Sequence, residues 1–366
     1  MLCAGRTMPA ARRLSTSASP GALERRGRAG RSSVSGVRAV VFGSTGFLAR
    51  YVVNELGRVG SQVVVPFRGE ETEIRHLRLM GDLGQVLPVR YWPTELDTIR
   101  EAVQHANVVI NLMGSDFETG NFSFGDVHHE IPAAIAGICS EMGVQRMVHV
   151  SALGADGASP SPFMRSKFTG EAAVRAAFPG ATIVRPAPLI GHEDRYLRLM
   201  AWLQGAGTLQ GAGFMGHIPL VDGGQNKQQP VAAADVGVAI AKMLEDSGTE
   251  GKTFELAGPD AYTMEELAAV VFHQLDLHEV KTVDVPLKVA QLMAKPFGRR
   301  MALINTKPRL TEDTFQRMAL DCLPAPNSLG FADLGMEPRG LDTSQLDYMR
   351  QFRKTGERGV GGFLNT

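Results

Sequence analysis

Gly43, Gly46 and Ala49 follow the apolar run VRAVVF (37–42) at the spacing Gly-x-x-Gly-x-x-Ala. Glycines so placed let the chain turn tightly and bring backbone N–H groups against a diphosphate, while the start of the next helix adds partial positive charge. The third position has only to be small, so Ala49 serves. Arg68 comes just after a second strand-like run, QVVVPF (62–67), where a planar, permanent cation suits a ribose 2′-phosphate. Glu70 and Glu71 follow and keep a 2′-hydroxyl open, so NADPH is favoured and NAD remains the alternative. Asp82, in MGDLGQ (80–85), is either an acceptor for an adenine amino group or a turn aspartate. NLMG (111–114) and Ser151 end two later runs, where they either meet a nucleotide or cap the strands.

The elements that must position these residues are legible as alternation. Strand-like runs at 37–42, 62–67, 85–92, 107–114, 145–151 and 181–186 are separated by helix-like stretches, among them 95–106, 126–143 and 166–178. That order predicts an α/β fold, a Rossmann-type doubly wound parallel sheet. After Gly191 the pattern changes to Gly-rich and Met-bearing, then to apolar helical stretches, one opened by the capping box of Thr263 and Glu266. The expected organisation is a leader over 1–35, a nucleotide-binding domain over 36–190, a smaller interleaved C-terminal lobe over 191–350 and a flexible tail over 351–366.

The leader holds seven arginines and one acid, Glu24, among Ser, Ala and Gly, the composition of an organellar transit peptide, with a basic disordered tail as the alternative. Overall the chain has 38 basic and 38 acidic residues, which offers no nucleic-acid footprint. Three distant cysteines supply neither a disulfide framework nor a metal site. No apolar run reaches the roughly 20 residues of a spanning helix.

The stretches VFGSTGFLARYVVNELGRVGSQVVVPFRG, GDLGQ, NVVINLMGSDFETGNF, VHVSALGA and RPAPLIGHEDRYL resemble those of atypical extended short-chain dehydrogenases/reductases. More closely they resemble the branch that serves as an NADPH-binding accessory subunit of mitochondrial respiratory complex I. The similarity runs from about 37 to 280. It implies a peripheral protein on the matrix side of the inner membrane, near the quinone end of the complex. It further implies a nucleotide lined by Gly43, Ser44, Thr45, Gly46, Phe47, Leu48, Arg68, Asp82, Leu83, Met113, Gly114, Ser151, Lys167 and Pro186.

In active members a Ser, a Tyr and a Lys four residues beyond the Tyr carry the chemistry: the Tyr moves the proton, and the Lys lowers its pKa and holds the nicotinamide ribose. Ser151 and Lys167 match, but Phe163 stands at the Tyr position. The five tyrosines, at 51, 91, 196, 262 and 348, are followed four places on by Glu55, Glu95, Met200, Glu266 and Phe352, so no Tyr-x-x-x-Lys exists. Nucleotide binding without catalysis is the expectation, and an organellar NADPH-dependent reductase or epimerase is the alternative. His128 and His129 read as solvated or interfacial. HEDR (192–195) reads as an ion-pair knot or a substrate loop. Residues 285–304, apolar at helical spacing and bearing Lys288, Lys295, Arg299 and Arg300, suit a membrane surface, a partner helix or the core of the lobe.

Overall fold

The structure, a computed structural model, describes residues 30–205, 217–277, 280–303, 310–341 and 346–353. The leader before 30 and the tail beyond 353 lie outside the described residues. Strands β1 (Arg38–Phe42), β2 (Gln62–Phe67), β3 (Val86–Arg90), β4 (Val108–Asn111), β5 (Arg146–Val150) and β6 (Thr182–Pro186) alternate with helices α1 (Phe47–Arg58), α2 (Leu96–Val103), α3 (Ile131–Glu141) and α4 (Pro162–Ala177). Then come α5 (Leu197–Gly205), α6 (Ala233–Glu245), α7 (Met264–Gln274), α8 (Leu287–Leu303) and α9 (Glu312–Met318). Four short strands, β7 (Leu189–Ile190), β8 (Ile218–Val221), β9 (Lys227–Gln228) and β10 (Val231–Ala232), precede β11 (Thr253–Leu256), β12 (Tyr262–Thr263) and β13 (Thr282–Val285).

Seven strands form one parallel sheet in the order β11-β6-β5-β4-β1-β2-β3, so the direction of winding reverses between β1 and β4. The expected doubly wound sheet is therefore present, and the crevice at its reversal lies at the carboxyl ends of β1 and β4. Buried strand residues supply both faces, Ala39, Val41, Val63 and Val65 on one and Val40, Phe42, Val64 and Val109 on the other. The short alternating apolar runs of the sequence are thus strands covered on both sides. A second core, around Leu267, Val271, Phe272 and Phe315, belongs to the C-terminal lobe. The lobe is interleaved: β11 completes the main sheet beside β6, and Val236, Ala239 and Ile240 of α6 join the core beneath α1.

The helix expected over 166–178 starts earlier. Ser161 caps α4 by accepting from the Met164 N–H, and Pro162 occupies the first turn, where its missing N–H does no harm. Phe163 and Lys167 consequently lie one helical turn apart on the inward face. The helix expected over 126–143 divides into a π turn (Asp126–Glu130) and α3. The run after Arg68, unassigned from sequence, is a 3₁₀ segment (Glu71–Met80).

Two devices seat α4. Arg185 of β6 grips Glu171 of α4 with both arms of its fork, at 2.9 and 2.8 Å, and reaches Glu255 of β11 at 3.2 Å. At Gly170, α4 meets the π turn so closely that an added Cβ would fall 1.9 Å from the His128 carbonyl oxygen. Replacing Gly170→Ala is expected to force the two elements apart and cost roughly 3 kcal/mol of stability. Chemical denaturation checks this, and an unchanged midpoint would contradict the close approach.

Candidate nucleotide site

The turn after β1 is pressed into the reversal point. Gly43 has φ +78°, and a Cβ there would meet the carbonyl carbon of Leu112, just past β4, at 2.8 Å. Both the backbone conformation and the space demand glycine. Ser44 is buried, and its hydroxyl donates to the Pro66 carbonyl at 2.7 Å, tying the turn to the end of β2. Thr45 and Gly46 are exposed at the mouth. Gly46 caps α1 in extended conformation without any side-chain hydrogen bond, so the first-turn N–H groups of Phe47 and Leu48 point toward the crevice unclaimed by a side chain. The Leu48 side chain itself lies in the core.

Arg68 emerges exposed at the carboxyl end of β2, 5.2 Å from the Phe122 ring, and pairs with no acid among the described residues. Glu71 is bound to Arg78, and Glu70 accepts from Thr72 at 3.2 Å, so both acids are engaged within their own segment.

At the ends of β4 and β5 a second group of residues converges. The Lys167 Nζ is buried 3.4 Å from the Val150 carbonyl oxygen and would lie 3.0 Å from a Cβ on Gly114. Burial lowers its pKa to about 8, opposed by the charge of Glu171. Ser151, the residue after β5, keeps a buried hydroxyl with no partner among the described residues. Asn111 accepts from the Met113 N–H at 3.0 Å, which turns its amide nitrogen to His149 Nδ1 at 3.2 Å. That nitrogen is then the acceptor, and the proton sits on His149 Nε2, which is buried and unpaired. Unsatisfied buried donors at the carboxyl edge, beside a glycine cradle, fit the ribose and diphosphate of a dinucleotide.

Phe163 occupies the place where the resemblance expects the acid. Its ring is nearly buried, edge-on to Phe124 and His128 at 6.0 and 5.2 Å between centroids, with Lys167 Nζ 5.9 Å from its centre. His128 is buried, against the solvated or interfacial reading from sequence, whereas His129 is exposed. The Ser115 N–H donates to its Nε2 at 3.1 Å, so its proton is on Nδ1 and is donated to Ser166 Oγ at 2.8 Å. Ser166 in turn donates to the Phe163 carbonyl at 2.7 Å.

The sequence matches the NmrA-like family over residues 37–321. It is 43% identical to a mitochondrial NADH dehydrogenase (ubiquinone) 1 alpha subcomplex subunit 9 of Arabidopsis thaliana, over 92% of this chain and 83% of that protein. The chain belongs to the NmrA-like family and to its alpha subcomplex subunit 9 branch. The rat protein of the same name, from Rattus norvegicus, is 41% identical over 89% of this chain and 83% of its own. A mitochondrial NADH-ubiquinone oxidoreductase 40 kDa subunit of Neurospora crassa is 38% identical over 90% and 83%. Among solved structures, an NADPH-dependent quinone oxidoreductase of Escherichia coli, complexed with NADPH, shares the fold at TM-score 0.62 and 19% identity, covering 84% of this chain and 98% of that one.

Most residues singled out from the sequence meet at the carboxyl edge of this NmrA-like sheet. Gly43 to Leu48 follow β1, Arg68 follows β2, Met113 and Gly114 follow β4, Ser151 follows β5, and Pro186 closes β6. Asp82 and Leu83 do not join them. Both precede β3, at the amino edge of the parallel sheet, where Asp82 accepts from Ser32, which itself lies before β1. In a doubly wound sheet the nucleotide lies at the carboxyl ends of the strands, and Asp82 precedes one. Trp92, half exposed just after β3, lies at the carboxyl end of that strand. HEDR is an ion-pair knot, with Glu193 bound to Arg50, Asp194 to the Tyr348 hydroxyl and Arg195 to Asp116.

Burial, with help from the Lys167 charge, lowers the His128 pKa to about 2, and burial first and Lys167 second lower that of His149 to about 3. Unfolded imidazoles take up protons below about 6.5 that the folded ones refuse, so this contribution is complete above that pH and lost as pH falls toward 3. Stability is expected to decline on acidification from pH 7 to 4.5. In His128→Gln the decline is shallower by about 1.4 kcal/mol per pH unit below 6. Denaturation midpoints across that range check it, and equal slopes in the two proteins would overturn it.

Proposed function

We propose that the chain is an NADPH-holding accessory subunit of mitochondrial complex I, placed peripherally on the matrix side of the inner membrane, in which the nucleotide is retained rather than turned over. What supports this reading is the pairing of a glycine turn and a buried Lys167 at the carboxyl edge of the sheet with Phe163, a side chain that has no exchangeable proton. Its relatives bear complex I subunit names across a plant, a mammal and a fungus.

Backbone N–H groups of Thr45 to Leu48 would receive the diphosphate, Arg68 the 2′-phosphate, and Ser151 and Lys167 the nicotinamide ribose. NADPH supplies a hydride when bound. Without an acid at position 163, a carbonyl oxygen loses the partner whose removal typically lowers rates by about 10² to 10⁴. Ribose contacts from Lys167 need no tyrosine, so binding survives the loss. A ligand held only by the folded chain stabilises it by mass action. On native gels the protein is expected to migrate with a large membrane assembly, and extraction of that band should release NADPH in near-equal amount to this chain. A free monomer without nucleotide would sink the proposal, and recovery of NADH would reassign Arg68.

We further propose that α8 meets the membrane surface. Ala290 and Ala294 face the lobe core, while Val289, Leu292 and Met293 are exposed on the other side, Leu292 at 71%, beside exposed Lys288 and Lys295. Apolar residues flanked by lysines suit an anionic interface. No helix among the described residues is long and apolar enough to cross the bilayer. The side chains of Arg299 and Arg300 lie outside the described residues. Sedimentation with cardiolipin-containing vesicles is expected for the wild type and reduced several-fold in Leu292→Glu; equal sedimentation of the two would place the membrane contact elsewhere.

A further inference from the structure

Helix α9 belongs to the C-terminal lobe, yet it ends on the first turn of α4. Asp313 accepts from the hydroxyl of Ser161 at 2.5 Å, both groups being buried, and Ser161 is the residue that caps α4. One turn on, Arg317 pairs with Asp313 at 3.0 Å and lays its guanidinium over Phe163, 4.5 Å from the ring centre. The same ring lies 5.9 Å from Lys167 Nζ. One aromatic ring is therefore shared by the lysine of the nucleotide site and a cation from the lobe. Helix α9 is firmly rooted in its own lobe, through buried Phe315 and through Gln316, which accepts from Gln291 of α8 at 2.8 Å.

We propose that α9 is a plug on the nicotinamide end of the cleft: Asp313 and Arg317 clamp the first turn of α4, close the side from which a substrate would reach the nucleotide, and make nucleotide release wait on the lifting of α9. This rests on the NADPH-holding reading above. Phe163 then has a positive role beyond lacking a hydroxyl. A phenyl ring buries without a polar group to satisfy, and its face attracts the guanidinium. Seating of the lobe and retention of the nucleotide become a single event.

The test uses the full-length protein purified with its nucleotide. Exchange of bound NADPH against isotope-labelled NADPH is followed in wild type, Arg317→Met, Phe163→Leu and the double variant. Each single change is expected to speed exchange about tenfold, and the double variant to exchange no faster than the faster single. Amide hydrogen exchange across residues 310–320 should rise in step. If the wild type retains NADPH and the variants exchange it at the wild-type rate, the plug is refuted while the NADPH-holding reading stands. If the wild type carries none, both fall. Should Arg317→Met fail to fold, Asp313→Asn, which keeps an acceptor for Ser161 and removes the ion pair, gives the same readout, and an unchanged rate there also refutes the plug.

Discussion

The contact between Gly170 of α4 and the carbonyl of His128, with no side chain between them, sets the position of the residues gathered where α4 meets the ends of β4 and β5. It fixes the depth of α4 against the π turn. That depth brings His128 within reach of Ser166 and places Phe163 beside its imidazole. Lys167, on the same face, is carried to the ends of β4 and β5. An extra carbon at residue 170 would displace a helix, and with it a lysine, an aromatic ring and a capping serine. Packed interiors pass such displacements on because they have little free volume.

Charge at this end is arranged economically. Two cations, Lys167 and Arg317, lie near one another with an aromatic ring close to both. The neighbouring imidazoles are kept neutral by burial and by that positive field. A protonated histidine here would add a third positive charge in a region of low dielectric, where repulsion is strong. Arg317 is partly offset by Asp313, and Lys167 by Glu171 at longer range. What remains unpaired is a set of buried polar atoms, His149 Nε2 and Ser151 Oγ among them, each able to donate to an oxygen acceptor.

Much of this could be read from the chain before any coordinates. Alternating apolar runs declared a parallel sheet because strands buried on both faces need continuous apolar sequence. Gly43, Gly46 and Ala49 marked a tight turn by their spacing after the first strand, and the structure adds why position 43 is glycine: a positive φ and the closeness of Leu112. Reading stopped where spacing carries no direction. Asp82 looked like a ligand because it lies near a strand, although it enters that strand rather than leaves it. His128 looked solvated because adjacent histidines on a helix diverge, and nothing local foretold that a distant serine would claim one of them. Arg317 was invisible as a neighbour of Phe163: the two are far apart in sequence, and only tertiary packing joins them.

The seventh strand, β11, arrives 67 residues after β6 ends, since β6 closes at Pro186 and β11 opens at Thr253. Until it docks, β6 is an open edge with a row of unpaired backbone groups, and Arg185 lacks its second carboxylate partner, Glu255. Open edges recruit strands from other molecules. A chain folding in sequence order therefore passes through a stage at which the β6 edge is open, and pairing with β11 ends that stage by making β6 interior. The segment between those two strands, which carries α5 and α6, sets how long the interval lasts, so closure of the sheet waits on the part of the chain that also supplies α6 to the core beneath α1.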